Sequence, residues 1–280
     1  MSADDPVTLP PIAFLGAGSM ARAILSGLLR PEVDATDIRA TNRSAEKAAS
    51  LASEGVVAYA TETDAAANRR AVAGAKLVVV AVKPHMVPDL LREIADALEP
   101  GAIVVSVAAG VTVATFEQLL PERVSVVRTM PNTPAVVGRA VTGVSAGTRS
   151  TDADLALVVS LFETVGDVLV VPESQLDALS TISGSGPAYV FFLIEQLTAT
   201  AIDLGFTPEQ AALMVQGTFR GASELLADSG DEPAELRRRV TSPKGTTERA
   251  IAVLDAASLK QTFDRATQAA LARARELAAG

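Results

Sequence analysis

Several short stretches of this chain carry residues fit to hold a ligand. The first is Gly16-Ala17-Gly18-Ser19-Met20-Ala21, set between the apolar run from Pro11 to Leu15 and a helix-like stretch from Ala23 to Leu29. Gly16 permits a sharp turn, Gly18 lets backbone N–H groups approach a pyrophosphate, and the small Ala21 lets the helix pack on the strand. The helix start then offers free N–H donors to the anion, which is what a dinucleotide needs. The second is Val240-Thr241-Ser242-Pro243-Lys244-Gly245-Thr246-Thr247, just before a helix from Glu248. Its hydroxyls and backbone N–H groups suit a small carboxylate, although Thr246 or Thr247 with Glu248 would serve equally as a plain N-cap. The third is Ser183-Gly184-Ser185-Gly186-Pro187. Glycine costs about 1 kcal/mol and proline about 3 kcal/mol inside a helix. Either the backbone here closely approaches a ligand or another helix, or the segment is a loop between two helices.

Other candidates follow strand-like runs. A site for NAD usually has an acid after its second strand, to bind the ribose 2′-hydroxyl. Here Ile38–Thr41 runs into Asn42-Arg43-Ser44, without an acid. Arg43 would attract a 2′-phosphate, with Asn42 and Ser44 adding hydrogen bonds, so NADP is expected over NAD. The competing reading makes Arg43 a solvated loop residue and Ser44 a cap for the helix from Ala45. Lys83, in Val80-Ala81-Val82-Lys83-Pro84-His85, faces the ligand crevice at a strand's carboxyl end or is a solvated cation. Pro84 suits a first helical position, and His85 reads as a surface residue at that helix start. Ser106-Val107-Ala108-Ala109-Gly110 leaves space for a flat ring, and the prolines of Arg128-Thr129-Met130-Pro131-Asn132-Thr133-Pro134 fix its backbone.

These stretches must be positioned by regular elements. β-rich runs at Ile12–Leu15, Ile38–Thr41, Leu77–Val82, Ile103–Val107, Val124–Arg128, Ala140–Ala146 and Val168–Val171 alternate with helical segments such as Ala45–Ser53, Val87–Leu98 and Asp152–Val165. That alternation predicts an α/β domain, a mainly parallel, doubly wound sheet over residues 1–172. Residues 173–280 read as all-helical: roughly Ser174–Leu204, Pro208–Ala227, Ala234–Val240 and Thr246–Arg275. Gly205 ends one helix, and Thr207 with Pro208 starts the next. The stretch with Ala188, Val190, Phe191, Phe192 and Ile194 is apolar nearly all round, so it is buried, either by a partner subunit or within a self-contained bundle.

Composition excludes several function classes. The chain has no cysteine and a single histidine, His85, so a cysteine or multi-histidine metal site is excluded and no metal is expected. A net charge of −9 argues against a nucleic-acid surface. No apolar run is long enough to span a bilayer, and the acidic start Met1-Ser2-Ala3-Asp4-Asp5 does not fit a secretory signal. A cytoplasmic location is expected.

From Ile12 to about Leu271 the chain closely resembles the pyrroline-5-carboxylate reductase family. The resemblance lies in the glycine turn, Ala81-Val82-Lys83-Pro84, Arg128 to Pro134, Leu179 through Ser183-Gly184-Ser185-Gly186-Pro187-Ala188-Tyr189, and Val240-Thr241-Ser242-Pro243 with Gly245-Thr246-Thr247. It implies an N-terminal Rossmann-type domain, an all-α dimerisation domain, an active site between the domains and across a dimer, and dimers that often assemble into a decamer. It implies reduction of 1-pyrroline-5-carboxylate to L-proline by NADPH, with NADH as the alternative donor. Gly16, Gly18, Ser19 and Met20 would meet the pyrophosphate, Asn42, Arg43 and Ser44 the adenosine phosphate, and Asn68 the ribose. Ala81, Lys83, Pro84, Ala108, Ala109 and Gly110 would line the nicotinamide end. Ser242, Lys244, Gly245, Thr246 and Thr247 would hold the substrate carboxylate, with Thr247 beside the ring nitrogen as the catalytic hydroxyl.

One residue departs from the family pattern. The family often has two glycines after the loop proline, and Lys244 replaces the first. The cradle survives if that position needs no positive φ, while the added charge bears on substrate affinity. The inventory suits the implied chemistry, because a protonated imine is already electrophilic and needs positioning more than a strong acid. A hydroxyacid dehydrogenase of similar build would need a lysine about a turn after a glycine cluster early in the helical part. No lysine lies between Lys83 and Lys244. A non-catalytic NADPH-binding sensor would show cofactor binding without turnover.

Overall fold

The computed structural model describes residues 7–35 and 37–279. The chain divides into two compact units, Met1–Ser185 with Ala270–Gly280, and Gly186–Ala269.

The first unit is built on an eight-stranded sheet. Its strands are β2 (Ile12–Leu15), β4 (Ile38–Asn42), β5 (Val57–Ala60), β6 (Leu77–Val80), β7 (Ile103–Ser106), β8 (Ser125–Met130), β9 (Ala140–Ala146) and β10 (Gly166–Val170). In space they run β10-β9-β8-β7-β6-β2-β4-β5. From β8 to β5 every pair is parallel. β9 turns back antiparallel to β8, and β10 runs parallel to β9. The expected mainly parallel, doubly wound sheet is present, with one antiparallel pair. Two very short strands, β1 (Val7–Leu9) and β3 (Val33–Ala35), pair by themselves. β1, β3 and β5 are absent from the sequence reading. β5 fails to announce itself because its side chains are only partly buried, so its hydrophobic pattern is weak.

β2, β6 and β7 are buried on both faces, as central parallel strands should be. Their residues alternate between two apolar layers. Ile12, Phe14, Leu77, Val79, Ile103 and Val105 face α1 (Ser19–Leu28) and α6 (Asp152–Glu163). Ala13, Leu15, Val78, Val80 and Val104 face α3 (Ala67–Val72), α4 (Val87–Ile94) and α5 (Val113–Leu119). α2 (Ala45–Ala52) contributes Leu51 to the first layer. Successive strands leave β2 in one direction through β4 and β5, then in the other through β6, β7 and β8. The crevice for a ligand therefore opens at the carboxyl end of β2, where that direction reverses.

Helix α7 (Glu173–Leu179) packs on β8 and β9, and a π-helical turn spans Ser180–Gly184. Within the helical stretch read from Ser174 to Leu204, the glycine segment does break the α pattern, as a π-turn rather than a loop. Ser185 N–H bonds to Ser180 C=O at 2.9 Å, and α8 starts only at Gly186. The later helices are α8 (Gly186–Asp203), α9 (Pro208–Ser229), α10 (Pro233–Arg239), α11 (Thr246–Ala256) and α12 (Leu259–Ala279). Thr207 and Gln210 close a capping box before α9, with Pro208 at its first turn. The expected single helix from Thr246 to Arg275 is two helices, because Ser258 takes a φ of 51° between α11 and α12.

In the second unit α8 and α9 pack together, yet Val190, Phe191, Phe192, Leu193 and Leu197 of α8 stay exposed, with Phe191 at 61%. The isolated unit does not cover this face, which is the arrangement expected when a partner subunit does. No helix among the described residues is long and apolar enough to cross a membrane.

Candidate functional site

The glycine turn sits at the carboxyl end of β2. Gly16 has a φ of 85°, and a Cβ there would stand 2.7 Å from Val82 Cγ1 and 3.2 Å from Val82 N. Both the conformation and the space demand glycine. Gly16 N–H donates to Thr41 Oγ1 (3.2 Å) and Ala17 N–H to Thr41 C=O (2.8 Å), which locks the turn to β4. The buried Asn42 side chain adds a bond from Nδ2 to Ala17 C=O at 2.8 Å. Helix α1 begins at Ser19, earlier than its sequence pattern suggests. Its N-cap, Gly18, provides no side-chain cap, and the first ladder bond runs from Arg22 N–H to Gly18 C=O. The N–H groups of Ser19, Met20 and Ala21 therefore lie outside the ladder, as anion donors. A Cβ at Gly18 would meet nothing nearer than Gly16 O at 4.0 Å, so the approach is open. These features fit a dinucleotide pyrophosphate.

At the adenosine end, Arg43 is exposed and Ser44 half-buried. Ser44 caps α2 by accepting from Lys47 N–H at 3.4 Å, so the capping role weighed against phosphate binding is filled. Asn68 lies in the first turn of α3 and donates from Nδ2 to Glu93 Oε2 at 3.1 Å, leaving its carbonyl oxygen for a ribose hydroxyl. Toward the other end, Ala81 is half-buried after β6, and Lys83 stands exposed. Pro84 opens a 3₁₀ turn, Pro84–Met86, on which His85 is exposed. After β7, Ala108 is buried in the apolar layer and can offer a ligand only its backbone. Ala109 is exposed, and Gly110 has a φ of 77°.

The hydroxyl-rich loop belongs to the second unit. The N-cap of α11 is Gly245, not Thr246 or Thr247, and it supplies no side-chain cap. A Cβ on Gly245 would come 2.9 Å from the backbone oxygen of Ser242, so the tight turn disfavours any larger residue. Gly245 N–H closes the turn to Ser242 C=O at 3.0 Å. Among the described residues no partner engages the hydroxyls of Ser242, Thr246 or Thr247, and the first N–H groups of α11 have no ladder acceptor. A carboxylate could be held by both sets. Lys244 has a φ of 62°, so the condition placed on the family departure is not met: this position does require a positive φ, and lysine adopts it. Its N–H bonds to Glu248 Oε2 at 2.9 Å, which steadies the strained residue.

Sequence reasoning missed the charge just upstream. Arg237, Arg238 and Arg239 crowd the last turn of α10. Glu235 bonds Arg238 and Arg239, and Asp231 takes Arg239 at 2.6 Å. Those two guanidiniums hold the Glu235 carboxyl down to about 2. Thr241 then caps the helix end, donating from Oγ1 to Arg237 C=O at 2.6 Å. The signal available in the sequence was the i, i+3 and i+4 spacing of Glu235 from Arg238 and Arg239.

The Arg128 to Pro134 stretch proves to be a frame. Arg128 is buried at 3% exposure, with guanidinium bonds to Glu173 Oε1 (3.2 Å) and Asp177 Oδ1 (2.6 Å) on α7. Glu173 Oε1 also accepts from Val113 N–H, the first residue of α5. Thr129 Oγ1 donates to Ser106 C=O, and Asn132 joins Ser183 C=O to Val141 N–H. A groove of about 480 Å³ lies elsewhere, between α8 and α9, lined by Val190, Phe191, Ile194 and Phe219. It is open and mostly apolar, and it forms part of the uncovered face of the helical unit rather than of the glycine-turn crevice.

Strand order, direction reversal, glycine turn and uncapped helix start together define a dinucleotide-binding protein of the doubly wound class. Residues 11–110 match the family described as NADP oxidoreductase, coenzyme F420-dependent, and residues 173–277 match the pyrroline-5-carboxylate reductase dimerisation family. A pyrroline-5-carboxylate reductase of Pseudomonas aeruginosa is 39% identical, over 97% of this chain and 98% of that protein. The solved structure of a pyrroline-5-carboxylate reductase from Coxiella burnetii superposes with a TM-score of 0.89 at 38% identity, over 96% of this chain and 98% of that one. The pyrroline carboxylate reductase structure from Plasmodium falciparum, solved with NADP bound, shares the fold with a TM-score of 0.81 at 23% identity, over 96% and 98% of the chains. The chain belongs to the pyrroline-5-carboxylate reductase family.

Proposed function

We propose that this protein reduces 1-pyrroline-5-carboxylate to L-proline with NADPH, and that the first unit binds the cofactor while the loop from Ser242 to Thr247 holds the substrate. Membership of the family along nearly the whole chain carries the reading, and the geometry of the glycine turn agrees with it. When bound, NADPH supplies the hydride that adds to the ring C=N carbon. The N–H groups of Ser19, Met20 and Ala21 take the pyrophosphate, and Arg43 with Ser44 and Asn42 takes the adenosine end. Asn68 takes a ribose hydroxyl. Ala81, Lys83, Pro84, Ala108, Ala109 and Gly110 line the nicotinamide end.

The free N–H groups at the start of α11 and the hydroxyls of Ser242 and Thr246 hold the substrate carboxylate, with Gly245 keeping the turn tight and Lys244 adding a positive charge. The Thr247 hydroxyl accepts from the iminium N–H and, once the hydride has added, donates to the lone pair left on the ring nitrogen, which ends as the amine of proline. No strongly acidic side chain is needed, since the iminium already carries the proton and the charge. The helical unit makes the protein a homo-oligomer, for which we propose a homodimer that assembles into a decamer in the cytoplasm; the exposed apolar face of α8 supports the pairing.

Purified protein mixed with NADPH and pyrroline-5-carboxylate tests the reading by absorbance and by chromatographic detection of proline. Steady cofactor oxidation with equimolar proline is expected. Tight NADPH binding without turnover would overturn it in favour of a sensor. Light scattering after gel filtration tests the assembly, and a monomer at micromolar concentration would refute it.

A further inference from the structure

The end of β4 carries no acid, but the structure brings one to it from β5. Thr61 N–H donates to Asn42 C=O at 2.9 Å and Glu62 N–H to Arg43 C=O at 3.1 Å, extending the β4–β5 pairing past its last ladder residues. This fixes Glu62 beside Arg43 and Ser44. Its Oε1 then accepts from Ala45 N–H at 2.7 Å, the first residue of α2. The start of α2 is thus already served by a carboxylate of the protein itself. No ion pair joins Glu62 to Arg43 among the described residues, so the arginine remains available to a ligand.

We infer that Glu62 sets the preference between NADPH and NADH. The inference rests on the reading of the first unit as the cofactor site. A 2′-phosphate drawn to Arg43 meets the negative charge of Glu62 at the same helix start, and must either displace that carboxylate from Ala45 N–H or bind against its repulsion. A free ribose 2′-hydroxyl carries no charge and can donate to a carboxylate, the role an acid at the second strand plays in NAD sites. Arg43 and Glu62 therefore pull in opposite directions: the arginine favours the phosphorylated cofactor, and the glutamate restrains that preference and keeps NADH competitive. Sequence order hides this arrangement, because the acid comes from the next strand.

Dissociation constants for NADPH and NADH, read from cofactor fluorescence on the full-length protein, test the inference. Glu62→Gln keeps an acceptor for Ala45 N–H and removes only the charge. It should tighten NADPH by roughly fivefold and leave NADH unchanged or weaker, a size typical of removing one exposed like charge. The fragment 2′,5′-ADP, which carries the phosphate without the nicotinamide, should tighten by a similar factor. Glu46→Gln removes a charge from the same first turn without the contact to Ala45, and should shift the NADPH-to-NADH ratio far less. A shift in the ratio of less than about threefold for Glu62→Gln, or an equal shift for Glu46→Gln, would overturn the inference; larger, selective shifts support it. Wild-type protein that binds neither dinucleotide would instead refute the cofactor reading itself. Glu62→Ala, checked for folding by its thermal melt, supplies a second variant with the same expected direction.

Discussion

Lys244 occupies a backbone conformation that suits glycine, and replacing it should make the protein more stable. Its φ is 62°. A left-handed conformation costs a residue with a Cβ about 1–2 kcal/mol, and glycine escapes that cost. Glycine gives back about 0.5–1 kcal/mol through the greater freedom of the unfolded chain. The hydrogen bonds of the turn, Lys244 N–H to Glu248 and Gly245 N–H to Ser242, are made by backbone donors and survive the change. Lys244→Gly should therefore stabilise by roughly 0.5–1 kcal/mol. Lys244→Ala keeps the strained φ and loses the charge, so it should fall about 1 kcal/mol below the glycine variant. Urea unfolding at one fixed protomer concentration measures both, since assembly couples stability to concentration. A glycine variant no more stable than the alanine variant would refute the strain argument. The same pair separates conformation from charge at the substrate. If the ammonium attracts the carboxylate, KM for pyrroline-5-carboxylate rises in both variants with little change in kcat; if the lysine only fills the turn, KM stays put.

Thr247→Ala should lower kcat by roughly tenfold to a hundredfold, the usual range for losing one positioned donor, while the NADPH dissociation constant stays within about twofold. A large loss of cofactor affinity would show that the threonine has been given the wrong ligand. Arg43→Glu should weaken NADPH at least about tenfold more than NADH in a fluorescence titration, and equal weakening would mean that Arg43 never meets the 2′-phosphate. Glu235 gives a pH dependence: its carboxyl is held at about 2 in the folded chain against an ordinary value of 4.5. A depressed folded pKa stabilises above the ordinary value and is lost as pH falls from 4.5 toward 2, so Glu235→Gln should flatten the acid unfolding curve in that window. An unchanged curve would place the loss elsewhere.

Much of the first unit was legible in the sequence because its central strands, though only four residues each, are apolar almost throughout. β2, β6 and β7 are buried on both faces, and burial is what makes a strand visible in composition. β5 is half-solvated, and its alternation carries no such signal. The antiparallel return of β9 is likewise invisible, because strand direction follows from the Thr133–Val137 turn and its left-handed Gly138, not from the strand's own residues. Local glycine chemistry could be read directly: the demand at Gly16 follows from the motif, and its structural cause is the approach of Val82. What could not be read was who bonds to whom. Ser44 caps its helix, as one of two readings had it, whereas the N-cap of α11 fell to Gly245 rather than to a threonine, at a turn where an added Cβ would stand 2.9 Å from Ser242 O.

The stretch from Arg128 to Asn132 commits its polar side chains to the protein itself. Arg128 spends its guanidinium on Glu173 and Asp177, and Asn132 uses both ends of its amide on Ser183 and Val141. A buried arginine with two carboxylates is weak support for stability against an apolar substitute, but removing one partner leaves an uncompensated charge and costs about 3–5 kcal/mol. Such a network specifies geometry: it joins β8 to α7, reaches α5 through Glu173, and ties the proline loop to the π-turn that precedes α8. Within that turn the Ser183 hydroxyl donates to Leu179 C=O at 3.2 Å and the Thr181 hydroxyl to Ala178 C=O at 2.8 Å. Motif residues in this protein therefore differ in what they have left to offer. Among the described residues, the N–H groups of Ser19, Met20 and Ala21 and the hydroxyls of Ser242, Thr246 and Thr247 are unspent, whereas Arg128, Thr129 and Asn132 have committed their side chains to holding neighbouring elements.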